Sequence, residues 1–112
     1  MTHYDALGEF EQSLLLAIVH LGDNAYGVTI RQEIEARTGR EVAVGALYTS
    51  LARLERKGYV RSAMSDPTPQ RGGRSKRHFT LKAAGAAALR QSRERLAQMW
   101  EGLQPDLRRT RP

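Results

Sequence analysis

The chain has 112 residues, 40% of them hydrophobic, which suits one small domain with a single core. The absence of cysteine excludes disulfide frameworks and thiol chemistry, and no apolar run approaches the ~18 residues of a membrane span. A net charge of +6 favours polyanionic partners, nucleic acid first and an acidic membrane surface second, in what we expect to be a soluble cytoplasmic protein without a signal peptide.

Two short helices are predicted at the start of the chain. Apolar residues over 10–21 recur with helical spacing, and the turn-forming residues 22–24 end this first helix. The second helix is predicted over residues 26–38, with Asn24 as its N-cap and Gly39 just beyond its last turn.

A third helix is predicted from about Val44 to Lys57, with Leu47, Leu51 and Leu54 on its core-facing side. The opposite side would offer small side chains, a hydroxyl and two guanidinium groups to DNA. Its residues are Gly45, Ala46, Thr49, Ala52, Arg53 and Arg56. Tyr48 falls on the shoulder between the two sides, where it is either a phosphate donor or a half-buried core aromatic.

Alternating patterns over residues 59–64 and 77–81 predict two strands of a β-hairpin around a turn-rich tip. The charge is concentrated from this tip onwards: residues 1–65 carry seven basic and eight acidic side chains (net −1), and residues 66–112 carry eleven and four (net +7). The predicted DNA contacts of the hairpin are Arg71, Gly72, Gly73, Arg74, Lys76 and Arg77. A disordered basic loop is the alternative. A further phosphate site is predicted where the second helix begins, at Tyr26 and Gly27.

A long last helix is predicted from about Ala83 to Leu103. Leu89, Leu96 and Leu103 repeat every seven residues, which is typical of a helix that pairs with a second copy. The alternative is that this stripe packs only on its own domain.

The order of three helices, a hairpin and a long helix is the winged helix-turn-helix plan, mostly α with a small β-hairpin. In that plan the third helix enters the major groove, and the hairpin, called the wing, contacts the DNA backbone or minor groove. We expect residues 1–82 to form the DNA-binding domain, residues 83–104 the dimerisation helix, and residues 105–112 a disordered basic tail.

Four blocks of sequence carry a resemblance: residues 7–11 (LGEFE), 21–27 (LGDNAYG), 45–58 (GALYTSLARLERKG) and 72–81 (GGRSKRHFTL). Their order and spacing resemble the PadR family of bacterial transcriptional regulators, in its compact branch, whose single C-terminal helix is short beside the long extra helical domain of the other branch. The resemblance implies a homodimeric repressor that binds a palindromic operator. It also places Tyr48, its neighbours on the third helix and the Gly72-Gly73-Arg74 wing at the DNA.

The resemblance further implies a dimer made by the last helix with help from the first. The expected interface residues are Leu14, Leu89, Leu96, Met99, Trp100 and Leu103. Met99 and Trp100 are also candidates for lining a small-molecule effector pocket at that interface, with plain packing as the alternative role.

Four positions depart from the family pattern. Ala43 and Lys82 replace residues whose side chains would cap the third and last helices, and such a cap contributes about 0.5–2 kcal/mol where it forms. His78-Phe79 replaces a pair of tyrosines on the second strand, where Phe79 can keep the packing but lacks the hydroxyl.

No enzymatic activity, metal or cofactor is predicted. The three histidines, His3, His20 and His78, fall in different elements, and no phosphate-binding loop or nucleophile elbow is present. The alternative function is a winged-helix module for protein–protein contacts without sequence-specific DNA binding. The cluster of basic residues at the wing favours DNA, since an interaction module would not need it.

Overall fold

The structure is a computed structural model that describes residues 7–65 and 76–103. These residues form four α-helices and a two-stranded antiparallel hairpin, which confirms the predicted winged helix-turn-helix fold class. In chain order the elements are α1 (Glu9–Leu21), a short 3₁₀ turn (Gly22–Asn24), α2 (Gly27–Thr38), α3 (Val44–Arg56), β1 (Val60–Met64), β2 (Arg77–Leu81) and α4 (Ala83–Trp100). The wing-tip residues Arg71, Gly72, Gly73 and Arg74, and the tail at 105–112, lie outside the described residues.

Two predicted helix ends are wrong because local backbone geometry moves them. The N-cap of α2 is Tyr26, whose carbonyl accepts the first bond of the helix (2.8 Å), whereas Asn24 belongs to the preceding 3₁₀ turn. The helix α4 ends at Trp100 rather than Leu103, since Glu101 leaves helical geometry (ψ 133°) and the chain then turns at Gly102 with a φ of 82°.

The core lies where the first three helices converge on the hairpin. Leu47, Leu51 and Leu54 of α3 are each at most 1% exposed, as their spacing predicts. The facing side chains come from α1, α2 and the hairpin: Leu14, Leu15, Ile18, Ile30, Ile34, Val60 and Phe79. Because burial of one such side chain contributes about 1.5–3 kcal/mol, this core determines which side of α3 faces solvent.

Leu14 is a predicted interface residue that the structure places elsewhere. Its side chain is 0% exposed in the single chain and belongs to the domain's own core, so it offers no surface to a partner. The large apolar side chains that α1 does expose are Leu16 and Val19. The prediction for Leu14 is therefore wrong, because the apolar stripe that contains it is the one buried under α2 and α3.

The last helix follows the hairpin directly and packs close to it at a glycine, Gly85. A Cβ atom added to Gly85 would lie only 2.3 Å from the carbonyl oxygen of Tyr59, the residue before β1. As expected from their side chains, the N-caps Ala43 and Lys82 make no side-chain capping hydrogen bond. Within the two described ranges, no helix is both long and apolar enough to cross a membrane.

We predict that Gly85→Ala lowers the free energy of unfolding by about 1–3 kcal/mol, because the new methyl group collides with backbone that cannot rotate away. Urea denaturation measures this change. The matched control is Gly45→Ala on α3, where an added Cβ meets nothing within 4 Å and helix propensity improves by up to about 1 kcal/mol. Equal stability of the two variants would contradict the close packing of α4 on the hairpin.

Candidate nucleic-acid interface

The side of α3 opposite its buried leucines is open to solvent, as predicted. Its residues, all exposed, are Gly45, Ala46, Thr49, Ala52, Arg53 and Arg56. The small residues at the start of the helix let its backbone approach the edges of bases, and the hydroxyl and methyl of Thr49 suit a phosphate or a thymine methyl. Arg53 and Arg56, near the end of the helix, carry charges that suit phosphate or guanine.

Tyr48 rests on the first turn of α2. Its side chain is 47% exposed, and a Cβ atom built on Gly27 would lie 2.0 Å from its hydroxyl oxygen. The phenol can occupy this place only because residue 27 has no side chain. Tyr48 is therefore a half-exposed residue of α3 whose hydroxyl lies at the start of α2.

At the start of α2, the backbone amide of Tyr26 is not available to a phosphate, although the sequence predicts a phosphate site there. The Tyr26 amide donates to Thr29 Oγ1 (2.9 Å), and the Thr29 hydroxyl donates in turn to the Asn24 carbonyl. The amides that follow, beginning with Gly27, belong to the first turn, where a helix has no acceptors of its own and its dipole favours an anion. Gly27, the first residue of this turn, lies beside the hydroxyl of Tyr48.

The wing is attached to the segment before α2 by backbone and ring contacts. The Phe79 amide donates to the Ala25 carbonyl (2.9 Å), and Tyr26 and His78 form an antiparallel bridge. The Tyr26 ring stands edge-on to the His78 ring at 5.5 Å, and the Lys76 ammonium lies 5.3 Å from the centre of the Tyr26 ring. The predicted DNA contacts Tyr26 and Lys76 are thus brought together.

Arg77, the other described wing contact, is bonded within the protein. Its Nη1 donates to Ser62 Oγ (2.9 Å), and the Ser62 hydroxyl lies 2.9 Å from Glu55 Oε2 on α3. Sequence patterns do not point to Glu55 or Ser62. The one signal is that Glu55 is the only acidic residue of α3, on a helix that otherwise suits DNA.

A large apolar groove lies between α1 and α4, on another part of the molecule. It measures about 790 Å³ and is lined by Leu16, Val19, Leu89, Leu96 and Trp100 together with the arginines Arg90 and Arg93. Leu96 is 60% exposed, and Met99 and Leu103 are also exposed, whereas Leu89 is half-buried against the core. The structure thus leaves most of the predicted interface of α4 uncovered in the single chain.

The described histidines form no cluster with carboxylates. His20 Nδ1 lies 3.3 Å from Arg37 Nη2 on an exposed surface, and His78 packs against the Tyr26 ring. Among the described residues, no group of three His, Asp or Glu side chains could hold a metal ion.

Residues 15–91 match the model of the transcriptional regulator PadR-like family, whereas no curated protein matches the sequence significantly. Among solved structures, the chain is similar to hsRosR-SG in a complex structure, with 28% identity, a TM-score of 0.64 and coverage of 86% of this chain and 78% of that one. It is also similar in fold to a transcriptional regulator from Clostridium thermocellum, with 23% identity, a TM-score of 0.67 and coverage of 80% and 84%. A PadR family transcription regulator from Clostridium difficile has 24% identity, a TM-score of 0.62 and coverage of 79% and 88%.

We predict that Gly27→Ala displaces the Tyr48 side chain without unfolding the protein, because the atom in the way is the far end of a side chain that can rotate. Tyrosine fluorescence and NMR shifts of Tyr48 should change, while the melting temperature stays within a few degrees of the wild type. Gly8→Ala, where a Cβ meets nothing within 4 Å, is the control. An unchanged Tyr48 environment in Gly27→Ala would show that the two residues do not touch.

Proposed function

The chain belongs to the transcriptional regulator PadR-like family, and we propose that it is a repressor that binds a palindromic operator as a homodimer. The observation that carries the proposal is a continuous series of contacts across the candidate interface. Tyr48 joins α3 to Gly27, and the neighbouring Tyr26 holds Lys76 of the wing. Recognition helix, start of α2 and wing therefore present one surface.

On this surface, base reading and phosphate binding fall to different residues. Gly45, Ala46 and Thr49 stand where α3 can come closest to base edges, while Arg53 and Arg56 reach phosphates or guanine. Tyr48, the first-turn amides of α2 from Gly27 on, and Lys76 bind the backbone. The wing tip, with Arg71, Gly72, Gly73 and Arg74, adds charge at the backbone or in the minor groove.

The dimer in this proposal is made by α4 across the groove that it shares with α1. Leu96, Met99, Trp100 and Leu103 would be covered by a second copy, and Leu16 replaces Leu14 as the contribution of α1. A two-fold arrangement of this kind places two recognition helices about 34 Å apart, one turn of DNA. Residues 1–82 then bind DNA and residues 83–104 pair the subunits.

The same groove is where a small-molecule effector would act in this proposal. Trp100 provides an aromatic surface, and Arg90 and Arg93 add positive charge at an apolar site. A ligand there would change the pairing of α4 and, through it, the spacing of the two recognition helices.

We predict that selection from a random pool of DNA duplexes recovers an inverted repeat whose half-sites are about one turn apart. Thr49→Ala, selected in parallel, should recover a different base preference with the same half-site spacing, because it removes a base-facing group and leaves the dimer intact. Recovery of no sequence by the wild type would reject this proposal and favour the protein–protein interaction module.

We predict that Leu96→Lys gives monomers in sedimentation experiments, since a charge would have to be buried in the α4 pairing surface. The matched control is Met64→Lys, which places the same charge on a similarly exposed apolar residue of the hairpin (54% against 60%). A stable dimer of Leu96→Lys would contradict pairing through this groove.

A further inference from the structure

Building on the DNA-binding function proposed above, we propose that Glu55 and Ser62 hold Arg77 as a clamp between the recognition helix and the wing. In this assignment Arg77 is a positioning residue, and Lys76 is the wing's neighbouring phosphate contact. The clamp sets the distance between the two elements that meet the DNA.

The clamp runs across three elements through a single hydroxyl. Arg77 on β2 donates from Nη1 to Ser62 Oγ on β1 at 2.9 Å. The one proton of that hydroxyl then points to the Glu55 carboxylate on α3, whose oxygens lie 3.0 and 2.9 Å away. Both ends are charged, so both hydrogen bonds are of the stronger, charge-assisted kind.

The pairing of the strands turns Arg77 towards α3. Arg77 lies two residues before Phe79, so both side chains leave β2 on the same face, and Phe79 is buried in the core. Ser62 stands directly opposite Phe79 in the hairpin, on that face as well. The Arg77 guanidinium therefore lies on the side of the hairpin that faces Glu55. The side chain of Lys76, just before β2, lies over the Tyr26 ring instead.

The charges explain why Arg77 stays in the clamp when the protein binds DNA. A move of its guanidinium to a phosphate would take this cation away from the Ser62 hydroxyl that bonds the Glu55 carboxylate, and would leave that carboxylate facing a polyanion without it. Glu55 is also hard to explain otherwise, because a lone carboxylate on a recognition helix repels DNA unless a cation of the protein neutralises it. The clamp gives this carboxylate a function that outweighs the repulsion.

The first test uses the sign of the Glu55 effect. Glu55→Ala removes a negative charge near DNA and keeps a good helix former, so simple electrostatics predicts tighter binding to every duplex. The clamp predicts the opposite for the selected operator, roughly five-fold weaker binding, because the wing no longer has a fixed distance from α3. Binding to a scrambled duplex of the same length should be unchanged or tighter, so the ratio of the two affinities falls.

The second test uses the salt dependence of operator binding. Lys76→Ala should reduce the log–log salt slope by about 0.9 for each phosphate that the variant no longer neutralises. Arg77→Ala should weaken operator binding and leave the slope unchanged, because the clamp releases no counterion. A slope reduced as much as in Lys76→Ala, or tighter operator binding by Glu55→Ala, would overturn the clamp.

The third test needs no DNA. In the free protein, Ser62→Ala should shift the Arg77 guanidinium NMR signal and speed its exchange with water, and Ser62→Thr, which keeps the hydroxyl, should restore both. Glu55→Ala should shift the same Arg77 signal, although Arg77 contacts Glu55 only through the Ser62 hydroxyl. An Arg77 signal that is the same in Ser62→Ala, in Glu55→Ala and in the wild type would reject the clamp, whether or not an operator exists. Failure of the operator selection alone would reject only the proposed function.

Discussion

Burial of the leucine stripe on α3 is the constraint on which the rest of the molecule depends. Leu47, Leu51 and Leu54 are almost completely buried, and each contributes about 1.5–3 kcal/mol. A surface ion pair such as Arg40–Glu9 contributes about 0–1 kcal/mol, so charges cannot rotate the helix against its leucines. The chemistry that faces outward on α3 is therefore a consequence of what faces inward.

Around this helix, hydrogen bonds tie the other elements to one another. Glu11, 8% exposed, accepts hydrogen bonds from Lys57 Nζ (3.3 Å) and from the Gly8 amide (3.2 Å), which ties the start of α1 to the end of α3. The backbone bond from Phe79 to Ala25 fixes the wing to the entry of α2. The wing, the entry of α2 and the start of α1 are thus all tied to the core that buries α3, and this core sets their spacing.

Much of the fold could be predicted because its signals are local. The strand over residues 77–81 follows from the period-2 alternation of its side chains. The end of α2 follows from Gly39, because glycine favours the left-handed backbone (φ 73°) that ends the helix there. The prediction of Asn24 as the N-cap of α2 is wrong because the capping preference of asparagine is weak compared with the 3₁₀ turn that contains Asn24 and precedes Tyr26. Leu14 misled because an apolar stripe looks the same whether it faces its own core or a partner, and burial alone decides between the two.

By itself, the amino-acid sequence determined the class of the protein: the order of elements, the buried and exposed sides of α3, and the position of the positive charge along the chain. These depend on periodicity and composition, which neighbouring residues carry. Only the tertiary structure decided which residues meet. Tyr48 lies over Gly27, and Arg77 reaches Glu55 through Ser62, because helix packing and strand register bring together residues that are far apart in the chain. Such contacts leave no period in a sequence, since each depends on the relative placement of two elements rather than on either one.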